Sequence, residues 1–204
     1  MPRTICYSQT YNTVFPTRGD WLRYERNLVR VRKCLYTDGS KTAYGVGAGI
    51  YGERPGTETQ ISLGSFTTIF QAEVYAIELC AVMLMERQAA NKTIRIFSDS
   101  QAALKALDSG FCVSRTVWSC RKKLNDLGAC NSVTLVWIPR HTGLEGNERV
   151  DALAKAGAEA EFIRPEPVLA ITNSTAKQAI TAWTEEIKFR YWLVRWFETL
   201  KGND

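Results

Sequence analysis

The chain has 204 residues, 45% hydrophobic and 11% aromatic, which suffices for a packed core and excludes global disorder. No apolar run approaches the roughly 18 residues of a membrane span, and the N-terminus has no apolar signal core, so an intracellular protein, nuclear or cytoplasmic and without a membrane role, is expected. The net charge of +5 is unevenly spread: residues 1–37 carry Arg3, Arg18, Arg23, Arg26, Arg30, Arg32 and Lys33 against Asp20 and Glu25, and the remainder balances.

A basic leader beside a neutral body suits contact with a polyanion, or is a solvated tail. The six cysteines (Cys6, Cys34, Cys80, Cys112, Cys120, Cys130) include no CxxC pair, and there is one histidine. A structural zinc site is therefore not expected; reduced, packed thiols are.

Residues 1–32 lack clean periodicity and read as a basic extension, punctuated by Pro16, Gly19 and Asp20; residues 20–30 could form a short basic helix. From Lys33 the pattern alternates, with Cys34, Tyr36 and Asp38 on one face, Leu35 and Thr37 on the other, until Gly39-Ser40 ends the run. Residues 44–51 form a second strand whose glycines imply close backbone approach or a bulge. A turn at 52–56 leads to a third strand, 59–65, completing an antiparallel meander.

Residues 70–90 give a helix with Glu73, Ala76, Ile77, Cys80 and Leu84 on one stripe. Glu73 thus begins a core-facing stripe, a costly place for a carboxylate unless it is paired or metal-bound. A fourth strand, 93–98, ends at Asp99, with Arg95, Phe97 and Asp99 on one face and Ile94, Ile96 and Ser98 on the other. Helices follow at 100–108 and 115–127, the second carrying Arg121, Lys122 and Lys123.

A fifth strand, 132–138, is stopped by Pro139. The next loop, punctuated by Gly143 and Gly146, holds His141. A helix over 147–161, capped by Asn147, carries Asp151 in its first turn. This order of elements implies a mixed sheet with helices on its faces. Residues 33–161 form one domain; 162–204 comprise a linker, broken by Pro165 and Pro167, and an amphipathic Trp-rich helix over 175–200. Its stripe of Ile180, Trp183, Ile187, Tyr191 and Val194, with Trp192, Trp196 and Phe197 off it, suits docking on a core or a partner.

If the first and fourth strands are parallel neighbours, Asp38 and Asp99 leave the sheet at one edge, and Glu73 and Asp151 can close on them from the sides. Four gathered carboxylates repel unless cations neutralise them. Hard oxygen ligands at a phosphate-binding site favour Mg²⁺ or Mn²⁺. Two such ions roughly 4 Å apart suit in-line displacement at phosphorus.

Tyr36-Thr37-Asp38-Gly39-Ser40, Gln71-Ala72-Glu73, Phe97-Ser98-Asp99-Ser100-Gln101, and Pro139-Arg140-His141-Thr142-Gly143 through Asn147-Glu148-Arg149-Val150-Asp151 together resemble ribonuclease H type I. They are especially similar to the ribonuclease H domains near the C-terminus of non-LTR retrotransposon polyproteins. The resemblance implies an α/β fold with a five-stranded mixed sheet, order 3-2-1-4-5, flanked by helices. It also implies cleavage of the RNA strand of an RNA–DNA hybrid, leaving a 3′-hydroxyl and a 5′-phosphate.

By the same resemblance Asp38, Glu73, Asp99, His141 and Asp151 are catalytic. Asp38 bridges two Mg²⁺ ions (Mn²⁺ can substitute), Glu73 and Asp99 lie on one side and Asp151 on the other, and His141 aids proton movement or product release. Gln101 and Asn147 match positions that touch the hybrid's minor groove and RNA 2′-hydroxyls; Gly39, Ser40 and Gln71 are further substrate-contact candidates. The basic helical protrusion of many cellular members has no room here, so Arg121, Lys122 and Lys123 or the leader substitute as phosphate contacts. A reverse transcriptase in the same or a neighbouring chain is a candidate partner. A non-catalytic nucleic-acid-binding module and a DNA-directed nuclease of the same fold remain alternatives, although all five catalytic-type positions are filled.

Overall fold

The computed structural model describes residues 4–5, 8–17, 19–21, 33–53, 56–140, 143–161 and 169–201, in two units, Met1–Ala170 and Ile171–Asp204. The first contains strands β1 (Thr4–Ile5), β2 (Tyr11–Val14), β3 (Lys33–Lys41), β4 (Val46–Glu53) and β5 (Gly56–Ser62), then helix α1 (Ile69–Glu86), β6 (Thr93–Ser98) and α2 (Gln101–Asp108). It continues with β7 (Phe111–Cys112), α3 (Arg115–Gly128), β8 (Ser132–Trp137) and α4 (Glu145–Glu159).

Six strands form one mixed sheet in the order β2-β8-β6-β3-β4-β5. β3, β4 and β5 are the antiparallel meander, while β3–β6 and β6–β8 pair in parallel. The five expected strands therefore stand in the expected order. Parallel strands are buried on both faces, and β6 shows how. Ile94 and Ile96 pack with Val74, Ile77 and Leu84 of α1, Leu104 and Leu107 of α2, and Leu124 of α3. On the opposite face Phe97 joins Tyr36, Val136 and, from α4, Val150.

The glycines of β4 serve close approach rather than a bulge. A Cβ on Gly47 would lie 2.2 Å from Ala158 N, and one on Gly49 would lie 2.6 Å from Val150 O. The backbone of α4 thus rests directly on the strand.

The leader departs most from expectation. It is not a separate extension: β2 adds to the sheet edge, parallel to β8, from Tyr11↔Val133 to Val14↔Val136. Tyr11 Oη donates to Leu107 O at 2.7 Å, and Thr10 N donates to Asn125 Oδ1 at 3.0 Å. Trp21 is 1% exposed, its ring edge-on to Phe97 with centroids 6.4 Å apart. Four residues are too short a strand to show a period of two, so partners far along the chain decide the matter. The expected basic helix over 20–30 lies largely outside the described residues. A short ladder, β1 with β7, pairs Thr4 with Cys112 and has no signature in the sequence.

Other boundaries shift for local reasons. Gly39-Ser40 does not end β3; pairing with β4 continues to Lys41↔Val46. α1 stops at Arg87, its C-cap, and Gln88 follows with φ 52°. α4 starts earlier than expected, with Leu144 as N-cap. Asn147 therefore lies within the first turn and does not cap it, Gly146 belongs to the helix rather than the loop, and Asp151 falls in the second turn. Cys80, Cys112 and Cys120 are buried, Cys34 is half-buried and Cys130 exposed; Cys80, Cys120 and Cys130 are free thiols.

The second unit is helix α5 (Asn173–Lys201). Ile180, Trp183, Ile187, Tyr191 and Val194 are exposed on it. Phe189, Trp192 and Trp196 stack in succession, with centroids 6.3 and 6.0 Å apart. The expected linker at 164–167 lies outside the described residues. Among the described residues no helix is long and apolar enough to cross a membrane.

Truncating a fully buried tryptophan costs about 3–5 kcal/mol. Trp21→Ala should therefore lower the urea midpoint of the protein by a corresponding margin. A loss under about 1 kcal/mol would mean that this part of the leader is not integral to the core.

Candidate active site

Parallel register creates the site. The last parallel pair of β3 and β6 is Thr37↔Ser98, so the next residues, Asp38 and Asp99, leave neighbouring strands at the same level. The backbone of Asp99 is pinned, its carbonyl accepting from Trp137 Nε1 at 3.1 Å and Gln101 N at 3.2 Å. The third carboxylate comes from α1, whose start is set by a reciprocal cap. Thr68 Oγ1 accepts from Gln71 N at 3.2 Å, and Gln71 Oε1 accepts from Thr68 N at 3.1 Å. Glu73 follows in the second turn. It can reach Asp38 because Gly39 has no side chain: a Cβ there would lie 2.7 Å from Glu73 N.

Asp38, Glu73 and Asp99 each offer a carboxylate oxygen within 4.8 Å of the others'. Asp38 is 6% and Glu73 1% exposed. Burial first, then the charges of Asp99 and Asp151, push the Asp38 carboxyl up to about 7; the Gly39 N–H and Arg140 pull it partly back. Burial, Asp38 and Asp99 likewise hold Glu73 well above the usual carboxylate range. Glu73 Oε2 and Asp99 Oδ1 are buried without a hydrogen-bond partner among the described residues. Buried acceptors without donors are costly. Hard, crowded and unsatisfied oxygens are what a divalent cation requires, so the residues present fit one.

Asp151 approaches without joining the tight trio. Its side chain is 47% exposed and accepts from Lys155 Nζ at 2.6 Å, although its charge is felt at Asp38. A cleft of about 260 Å³ runs between these groups, lined by Asp38, Gly39, Ser40, Asp99, Arg140, Asn147 and Asp151 among others. Gly39, Ser40 and Asn147 thus line the cleft. Gln101 is exposed on the first turn of α2, its Oε1 accepting from Lys105 Nζ at 3.3 Å, and does not line the cleft. His141 lies outside the described residues.

Two candidates are corrected. Gln71 is 3% exposed, and its amide is consumed by the Thr68 cap and by Ala170 O, to which Nε2 donates at 2.8 Å; it anchors α1 instead of meeting substrate. Arg121 is also 3% exposed. Its guanidinium donates to the carbonyls of Leu107 and Ser109 at the C-terminal end of α2, where a cation satisfies orphan carbonyls. It is therefore spent, whereas Lys122 stays exposed and Lys123 half-buried.

Arg140 and Lys155 received no role from the sequence. Lys155 was readable, four residues beyond Asp151 on one helix. Arg140 was not, because its bond from Nε to Asp99 Oδ2, 3.0 Å long, spans two loops. In comparison with known proteins, the family model described as RNase H matches residues 31–159, nearly the stretch that carries the motifs.

A native carboxyl with a raised pKa keeps a proton that the unfolded chain has lost. Stability without metal should therefore fall as pH climbs from about 3.8 to about 7, the span of the Asp38 shift. Asp38→Asn should accordingly melt several degrees above the parent at pH 8 in chelator, with the gap closing at pH 5, measured by thermal denaturation. An unchanged or lower melting temperature at pH 8 would refute the strained, buried trio.

Proposed function

The chain belongs to the RNase H family, and from that premise we propose that it is an endoribonuclease. It hydrolyses the RNA strand of RNA–DNA hybrids at two Mg²⁺ ions, which Mn²⁺ can replace, leaving a 3′-hydroxyl and a 5′-phosphate. The observation that carries the reading is the convergence of Asp38, Glu73 and half-buried Asp99 beside an open cleft, with Glu73 Oε2 and Asp99 Oδ1 lacking a donor among the described residues. Asp38, Glu73 and Asp99 would hold one ion and Asp38 with Asp151 the other; bound there, such ions supply an activated water and a counter-charge for the leaving oxygen.

The chain's own residues do the rest. Burial keeps bulk water from Glu73 and Asp38 and strengthens every charge interaction among them. Backbone at Gly39 and Ser40, with the Asn147 amide, lines the cleft where RNA 2′-hydroxyls would be read. Gln101, on exposed surface nearby along the chain, would touch the minor groove, and exposed Lys122 would give sequence-independent phosphate contact that weakens with salt. His141 would move a proton near the departing group. We further assign the chain to retroelement-type enzymes, with a reverse transcriptase as partner and an intracellular setting. Its catalytic region is taken as residues 33–161, supported by the leader strand.

Purified protein should cut the RNA of a labelled hybrid in Mg²⁺ or Mn²⁺ and spare RNA–RNA and DNA–DNA duplexes of the same sequence. Asp38→Asn should reduce cleavage to background while hybrid binding persists. Binding without cleavage in either metal would leave a non-catalytic module, and cutting of DNA–DNA would overturn the substrate. His141→Ala should slow turnover by about a hundredfold, short of the loss at Asp38.

A further inference from the structure

Arg140 carries a role beyond that reading, although it rests on it. Among the described residues, its guanidinium is engaged through Nε alone, on Asp99 Oδ2 at 3.0 Å. The Arg140 side chain is 63% exposed, whereas that of Asp99 is 10% exposed. The two oxygens of Asp99 therefore have separate assignments: Oδ2 is taken by Arg140, and Oδ1 is buried with no hydrogen-bond partner among the described residues. The residue also lines the cleft, and its charge acts on Glu73 and Asp38 as well as Asp99.

The cleft poses an electrostatic problem that a cation at this place answers. Its walls carry Asp38, Asp99, Glu148 and Asp151 against Lys41 and Arg140, and Glu73 lies just behind. A polyanion meets net repulsion at the short range where groups must come into register. Lys155 is bound by its ammonium to Asp151 and has no second flat edge to offer. A guanidinium differs: its planar fork can serve one carboxylate through Nε and still present terminal nitrogens to a phosphate.

We propose that Arg140 is a substrate-holding residue, oriented by Asp99 through Nε and receiving a phosphodiester oxygen of the cleaved strand on its terminal nitrogens. The same bond fixes the orientation of Asp99, so one side chain couples the position of the acid to the arrival of substrate.

The test compares parent, Arg140→Gln and Arg140→Lys on a labelled RNA–DNA hybrid, together with hybrid affinity against salt in chelator. Arg140→Gln should raise KM about tenfold, the loss of one charge-assisted hydrogen bond. It should also lower the slope of log affinity on log salt by about one, the release of one counter-ion fewer. Arg140→Lys, which keeps the charge without the fork, should restore the salt slope and only part of KM. A fall in kcat with KM and salt slope unchanged would overturn the proposal, leaving Arg140 as a prop for Asp99 alone. Tighter Mn²⁺ binding by Arg140→Gln with an unchanged salt slope would also overturn it, making Arg140 a competitor of the metal. If the parent neither binds nor cuts the hybrid, the proposed function itself fails, a result distinct from both.

Discussion

Three carboxylates are held closer together, and drier, than their charges favour, and the rest of the fold is arranged around that constraint. Asp38, Glu73 and Asp99 sit within 4.8 Å of one another, and protons or cations must answer their mutual repulsion. Holding such a group requires backbone that cannot relax. Parallel pairing of β3 with β6 supplies two of the positions. The capped start of α1 and the bare backbone of Gly39 supply the third. Strain of this kind persists only where the surrounding structure over-determines it.

Over-determination comes from burial on both faces of the sheet. Leu35, Ile94 and Ile96 anchor one side against α1, α2 and α3, and Phe97, Tyr36 and Val136 anchor the other against α4 and Trp21. Each fully buried side chain of this size contributes about 1.5–3 kcal/mol, so several together outweigh a few destabilised carboxyls. β2 extends the same logic, covering the β8 edge that would otherwise expose unpaired backbone. Arg121 and Asn125, both on α3, tie the leader and the end of α2 to one helix. A basic side chain that looks like a nucleic-acid contact in the sequence is thereby committed to the interior.

Two side-chain cations, Arg140 and Lys155, each meet one of the flanking acids, Asp99 and Asp151. Among the described residues, Glu73 Oε2 and Asp99 Oδ1 at the centre of the site have no hydrogen-bond donor.

Much of this was legible in the chain alone, wherever the cause is local. Residues 93–98 alternate cleanly and form β6 with those bounds. The stripe from Glu73 to Leu84 is buried as its 3.6 period requires. The strand order came from the resemblance that the motifs carry, and the acids at the sheet edge followed once β3 and β6 were parallel neighbours. What escaped depends on partners distant in sequence. Tyr11 and Trp21 became core because Val133 and Phe97 stand opposite them. Gln71 and Arg121 left the list of substrate contacts because backbone carbonyls claimed their donors. Composition, periodicity and motif spacing determined which residues are apolar, helical or acidic and in what order. Only tertiary structure decided which polar groups remain free to act, because hydrogen-bond capacity is finite and is assigned by three-dimensional neighbours.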